Sequence, residues 1–185
     1  MVQTLGEKAE HKPVAASLAF NGGRKAGRAG FALTLGAVWL TTRLPEVDWT
    51  GFVLANHSGL SLKSRFSPNQ VLGMLRYAHT RNYGPYRYVD LLKPYYLPRK
   101  LVSARGYRVR AKSGTMNYIR GRAGFIETLN GRLLAFALFI GQPHARKDYD
   151  GPHAGLPPVR SGPRRWRFQA RQLEQALIAR WVSVY

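Results

Sequence analysis

Lys112-Ser113-Gly114-Thr115 is the stretch of the chain whose residue types could do chemistry together. An ammonium and a hydroxyl in adjacent positions of a strand offer a cation and a donor to an anionic group. The glycine lets a substrate approach the backbone, and the next N–H can point at a developing oxyanion. The same residues also suit a strand that ends and turns at Gly114, so the motif alone leaves both readings open.

Little else supplies acid–base or nucleophilic machinery. The nine carboxylates are dispersed, and the five histidines (His11, His57, His79, His144, His153) lack metal-ligand spacing, so no metal is expected. With no cysteine there is no disulfide scaffold, thiolate zinc site or cysteine nucleophile. Asn21-Gly22-Gly23-Arg24-Lys25 lacks the spacing of a phosphate-binding loop.

The elements that must position the motif are legible as changes of period. From Tyr107, Arg108, Arg110 and Lys112 alternate with Val109, Ala111 and Ser113, which predicts a strand with one charged face. Residues 123–129 and 133–140 read as two further strands. Asn130-Gly131 between them predicts a type I′ hairpin. The run 133–140 is apolar on both faces and is expected to be covered on both sides. Upstream, Ser67-Pro68-Asn69-Gln70 predicts a capped helix start, with Val71, Leu72, Leu75 and Ala78 on one face. The apolar run 29–40 predicts a buried core helix. Phe52-Val53-Leu54-Ala55 predicts a brief strand. Residues 82–100 read as an irregular aromatic connection and 141–163 as an exposed loop. The last segment predicts a helix with Trp166, Ala170, Leu173, Leu177, Trp181 and Val184 facing inward. Arg167, Arg171, Glu174 and Arg180 occupy its other face. The expected class is α+β, an antiparallel sheet with flanking helices.

In this context the motif gains a resemblance. Residues 110–116, then Gly121-Arg122-Ala123-Gly124-Phe125-Ile126, then Asn130-Gly131-Arg132-Leu133-Leu134-Ala135-Phe136 resemble the end of the penicillin-binding D-alanyl-D-alanine carboxypeptidases that also act as endopeptidases (the DacB-like serine family). That family carries Ala-Lys-Thr-Gly-Thr, Leu-Ala-Gly-Tyr and Gly-Arg-x-Leu-Ala-Phe strands in this order. Ser58-Gly59-Leu60-Ser61 and the helix after Ser67 resemble its Asp-Gly-Ser-Gly-Leu-Ser segment and the helix next to it, although Asn56-His57 replaces Asp-Gly. The resemblance implies the β-lactamase and penicillin-binding transpeptidase-like fold. It divides the chain into a helical-lobe remnant over 1–55, antiparallel strands over 105–140 and a closing helix over 164–185, all in one partial domain.

The resemblance also implies roles. Lys112 would stabilise charge on the substrate, Ser113 would bind its terminal carboxylate, and Thr115 would give its backbone N–H to an oxyanion hole, with Gly114 completing the substrate strand. It implies no cofactor, a peptidoglycan stem peptide or a β-lactam as ligand, and a periplasmic setting. The family's nucleophile lies in Ser-x-x-Lys, and none of the nine serines here is followed by lysine at that spacing. Ser67-Pro68-Asn69 has the letters of the second motif, Ser-x-Asn, but opens a helix and falls in the wrong order. Residues 1–6 resemble the family's segment just C-terminal to that second motif. The chain is therefore expected to correspond to the C-terminal third of such an enzyme and to be inactive alone.

The balance of 29 Lys and Arg against 9 Asp and Glu, net +20, asks for an anionic partner. An anionic membrane or cell-wall surface fits, and nucleic acid is expected to bind non-specifically and only at low salt. The rival reading is a non-catalytic basic module that binds nucleic acid or another partner, with tyrosines between 83 and 107 stacking on bases.

Overall fold

Three nine-residue strands build the middle of an antiparallel sheet, the first from alternating apolar and polar residues and the third from a continuous apolar run. The fold is given by a computed structural model that describes residues 1–4, 36–56, 61, 63–103, 105–150 and 162–185. In chain order the strands are β1 (Val2–Thr4), β2 (Asn82–Tyr83), β3 (Tyr86–Arg87), β4 (Lys93–Pro94), β5 (Arg108–Met116), β6 (Ile119–Glu127) and β7 (Leu133–Gly141). The helices labelled here are α1 (Pro68–His79), α2 (Pro143–Tyr149) and α3 (Gly162–Val184). The architecture is α+β, as expected. Two compact units are distinguished, Met1–Gly6 with Val89–Tyr185, and Glu7–Tyr88.

The first unit holds the five-stranded sheet, ordered β1-β7-β6-β5-β4 with every neighbour antiparallel. On one face Val109, Ile126, Leu134, Phe136 and Leu138 form the core with Ile178, Ala179 and Val182 of α3. Fully burying a side chain of this size contributes about 1.5–3 kcal/mol. Residues 134–138 of β7 are all buried, so that strand is covered on both faces as predicted. The alternation of β5 also appears as expected, with Val109 and Ala111 buried and Arg108 and Lys112 exposed.

Several expectations need correction. The β6–β7 connection is a hairpin, but only Gly131 has positive φ (73°), so the turn is not type I′. Gly131 N–H donates to Thr128 O and Thr128 N–H to Arg132 O, the pattern of a type I turn closed by a glycine bulge. β6 begins four residues before the expected position, because Arg120 and Arg122 are buried strand residues. The segment after β7 is not all loop: Pro143 starts α2, which an Arg146–Asp150 ion pair at 2.7 Å closes. On α3 the inward face is Ala170, Glu174, Ile178, Ala179 and Val182, whereas Leu173 is 50% exposed and Val184 and Leu177 also face outward. The helix is turned so that Glu174 enters the core.

In the second unit Ser67 caps α1 as predicted. Its Oγ accepts from Gln70 N–H at 3.2 Å, and Gln70 Oε1 accepts from Ser67 N–H at 2.9 Å. Leu72, Leu75 and Ala78 are buried, and the buried Gln70 amide also donates to the Asp48 and Thr50 carbonyls. Residues 36–43 are helical, but Val38 is 55% exposed, so the described part of the predicted core helix is only partly covered. Val53 makes a single bridge to Arg65 in place of a strand. Residues 29–35, 57–60 and 151–161 lie outside the described residues. No helix among the described residues is long and apolar enough to cross a membrane.

The close approach of β5 and β6 makes a test. A Cβ at Gly124 would run into the Arg110 carbonyl and the Ala111 backbone, whereas one at Gly114 would meet nothing. Gly124→Ala is expected to cost about 1–3 kcal/mol or more in urea unfolding. Gly114→Ala should change stability by less than about 1 kcal/mol.

Candidate functional site

The Lys112–Thr115 stretch occupies the second half of β5, where the sheet has an open edge. β4 pairs with β5 only at Lys93 with Ala111 and Pro94 with Arg110. Proline is tolerated there because Pro94 sits at a position whose N–H is not called on by the ladder. Before Lys93 a 3₁₀ turn over Tyr88–Leu91 ends the strand, and Leu92 N–H donates back to Val89 O. Among the described residues no strand pairs with this side of β5 beyond Ala111.

The direction of the exposed backbone groups follows from one hydrogen bond. Tyr95 N–H donates to Val109 O at 2.8 Å, so Val109 turns its polar groups toward the β4 side. β5 pairs with β6 without a bulge from Arg108 to Met116, so the direction alternates strictly. Ala111, Ser113 and Thr115 therefore aim N–H and C=O at the outer edge, and Lys112 and Gly114 aim theirs at β6. The Lys112 ammonium, exposed, donates to Ser113 O at 2.9 Å across that edge.

The four predicted residues share this edge but not one face. Lys112 and Gly114 lie on one side of the sheet, Ser113 and Thr115 on the α3 side. Ser113 is half-buried, and the other three are exposed. Space around Gly114 is open. The strand then reverses through Asn117 and Tyr118, and Tyr118 takes φ 57°, rare for a bulky residue. Its ring is held between Tyr149 and Trp166, at centroid distances of 6.1 and 5.8 Å. These contacts offset the strain and fix where the strand ends.

A buried charge cluster, missed by the sequence reading, supports the strand from behind. Arg122 stands opposite Ser113 and Arg120 opposite Thr115 on β6. Glu174 of α3, with no exposed surface, accepts from Arg120 Nε at 2.7 Å and Nη2 at 2.9 Å, from Arg122 Nε at 2.8 Å and from Tyr95 Oη at 3.0 Å. The Arg122 guanidinium lies over the Tyr95 ring, 3.7 Å from its centroid. Arg120 Nη1 also reaches Thr115 Oγ1 at 3.4 Å. Burial first, and Glu174 next, hold the Tyr95 phenol above the usual tyrosine range, so it stays a donor at neutral pH. Two arginines inside one strand, at alternate positions between apolar residues, were the available signal for a buried counter-charge.

The tyrosines of the rival reading are largely occupied. Tyr83 packs against Tyr88 at 5.8 Å, Tyr95 carries Arg122, and Tyr107 packs on the core, while Tyr86 and Tyr96 are exposed. No three His, Asp or Glu side chains gather among the described residues as a metal site would need.

Comparison with known proteins decides the family. The model of the D-Ala-D-Ala carboxypeptidase 3 (S13) family matches residues 15–156. The chain belongs to this family. Among solved structures, penicillin binding protein 4 (dacB) from Haemophilus influenzae is 24% identical over 59% of this chain and 26% of that chain, with a TM-score of 0.45. The same protein complexed with a β-lactam is 21% identical over 77% of this chain and 33% of that one, with a TM-score of 0.46. The chain thus spans about a quarter to a third of the length of these structures. No match was found among curated proteins. Within the S13 match lie β5, β6, β7 and the whole candidate edge, whereas α3 and Glu174 fall beyond it.

The ion cluster makes the second test. Glu174→Gln leaves two buried guanidinium groups without a counter-charge and is expected to cost about 3–5 kcal/mol in denaturant unfolding. Arg171→Gln on the solvent face of α3 should cost less than about 0.5 kcal/mol.

Proposed function

We propose that this S13-family chain supplies the substrate strand of a serine-type D-Ala-D-Ala carboxypeptidase/endopeptidase that acts on peptidoglycan in the periplasm. The observation that carries the reading is the unpaired outer edge of β5 at Ser113 and Thr115. An extended stem peptide can add there as a further antiparallel strand, its backbone exchanging hydrogen bonds with these two residues. In this reading the Thr115 N–H faces the scissile carbonyl and stabilises its developing negative charge. The Ser113 hydroxyl binds the terminal carboxylate, and the Lys112 ammonium offsets charge on the substrate. Gly114, with open space beside it, lets the peptide approach. In this reading residues 1–55 correspond to a remnant of the family's helical lobe, except that Val2–Thr4 stand in the five-stranded sheet as β1.

The reaction is acyl transfer. A serine oxygen attacks the carbonyl carbon, the peptide bond breaks, and the terminal D-alanine leaves as an amine that takes up a proton. That serine and its lysine base belong to a Ser-x-x-Lys sequence, which these 185 residues do not contain. The chain as given is therefore inactive by itself, and a β-lactam occupies its edge without acylating it.

Labelling with a fluorescent penicillin followed by denaturing electrophoresis tests this. The chain alone should give no covalent band, and a stable band would reveal a nucleophile outside the Ser-x-x-Lys pattern. Joined to Ser-x-x-Lys and Ser-x-Asn segments of an S13 enzyme, it should be labelled, and Lys112→Ala should reduce labelling by about a hundredfold or more. Silence of Lys112→Ala in that protein would make the strand ordinary structure and remove the assignment.

A further inference from the structure

The turn after β4 has a different design from the rest of the first unit. Leu97 and Val102 are buried in the core and act as its two anchors. Leu101 and Val102 N–H both donate to Pro98 O, at 2.9 and 3.4 Å, which closes the turn tightly. The residues between the anchors point out: Arg99 and Lys100 are exposed, Leu101 is 37% exposed, and Tyr96, just before the first anchor, is 82% exposed. Arg99, Arg105, Arg108 and Arg110 line an open cleft beside Tyr96, and no carboxylate lines it. Arg108 is within 3.8 Å of the Glu127 carboxylate and Arg110 donates to the Leu92 carbonyl. No carboxylate among the described residues pairs with Arg99, Lys100 or Arg105.

We propose that Tyr96, Arg99, Lys100 and Leu101, backed by the arginines of this cleft, dock the protein on an anionic lipid bilayer. Charge complementarity selects an anionic surface, since cations near such a surface are each attracted to it. The choice of lipid over nucleic acid rests on the exposed apolar groups. Stacking of successive bases needs several free rings. Here Tyr95 lies under Arg122 and Tyr107 packs on the core, so Tyr96 is the one exposed ring lining this cleft, while Tyr86, also exposed, belongs to the second unit. A tyrosine and a leucine flanking two cations instead match the membrane–water interface, where amphipathic rings and aliphatic chains enter the headgroup boundary while cations meet the phosphates. The attachment is peripheral, and it goes beyond the catalytic proposal: its test involves neither Lys112 nor a substrate.

The test is co-sedimentation of the whole chain with vesicles of phosphatidylcholine, alone or with about one-third phosphatidylglycerol, across a salt series. Binding is expected only to the anionic vesicles and should fall with salt. Arg99→Glu with Lys100→Glu should weaken it by about 25-fold or more, from roughly fivefold per charge removed. Arg171→Glu with Arg180→Glu makes the same change of net charge on the exposed face of α3 and should leave binding within about threefold. Tyr96→Ser should weaken binding without altering its salt dependence. Circular dichroism on each variant confirms that these surface changes leave the fold intact. Equal binding to neutral vesicles, or an equal loss in the α3 variant, would overturn the proposal. So would single-stranded DNA that binds more tightly than the vesicles and depends on the same two cations.

Discussion

A carboxylate with no contact with water, gripped by two arginines and a tyrosine, ties the last helix to the middle of the sheet. Leaving both guanidinium groups in the core without the Glu174 carboxylate, or that carboxylate without them, would cost several kcal/mol. Glu174 sets the rotation of α3, and with it the burial of Ile178 and Val182 and the exposure of Leu173. Arg120 and Arg122 in turn stand in register with Thr115 and Ser113, so the anchor of the helix is also the floor beneath the candidate edge. Two guanidinium charges against one carboxylate leave that floor cationic.

The edge itself is made by what the chain does not do. A partner strand of two residues, entered from a 3₁₀ turn and containing a proline, covers β5 only as far as Ala111. Beyond it the backbone groups of Ser113 and Thr115 face outward by the parity of an unbroken ladder. An open edge is a liability that proteins usually blunt with charge or twist. Lys112 leaning across it does this in the free state, and the same opening is what a peptide strand requires.

Much of this was legible in the sequence, for physical reasons that differ by element. The capping box at Ser67 and Gln70 and the alternation of β5 are local, and local chemistry decides them. β7 was legible because eight apolar residues in a row have nowhere to go but inside. The face of α3 was not, since a helical wheel counts Glu174 as polar and cannot see the two arginines 52 and 54 residues earlier that neutralise it. For the same reason the charges of Arg120 and Arg122 kept them out of the strand-like run that starts at Ala123, which hid the start of β6. The Asn130-Gly131 signal placed the hairpin correctly but not its turn type, because only Gly131 took positive φ. At the candidate site the sequence pointed to Lys112 through Thr115. That their common property is an edge, with side chains on opposite faces, depends on where β4 stops, which no local pattern encodes.

Residue-resolved amide hydrogen exchange on the whole chain, with and without a peptide ending in D-Ala-D-Ala, tests the central claim most directly. The account predicts that the Ser113 and Thr115 amides exchange freely while those of Lys112 and Gly114 are protected by β6, and that the peptide slows the first pair. Strong protection of Ser113 and Thr115 in the free chain, or a peptide that leaves both unchanged, would contradict it.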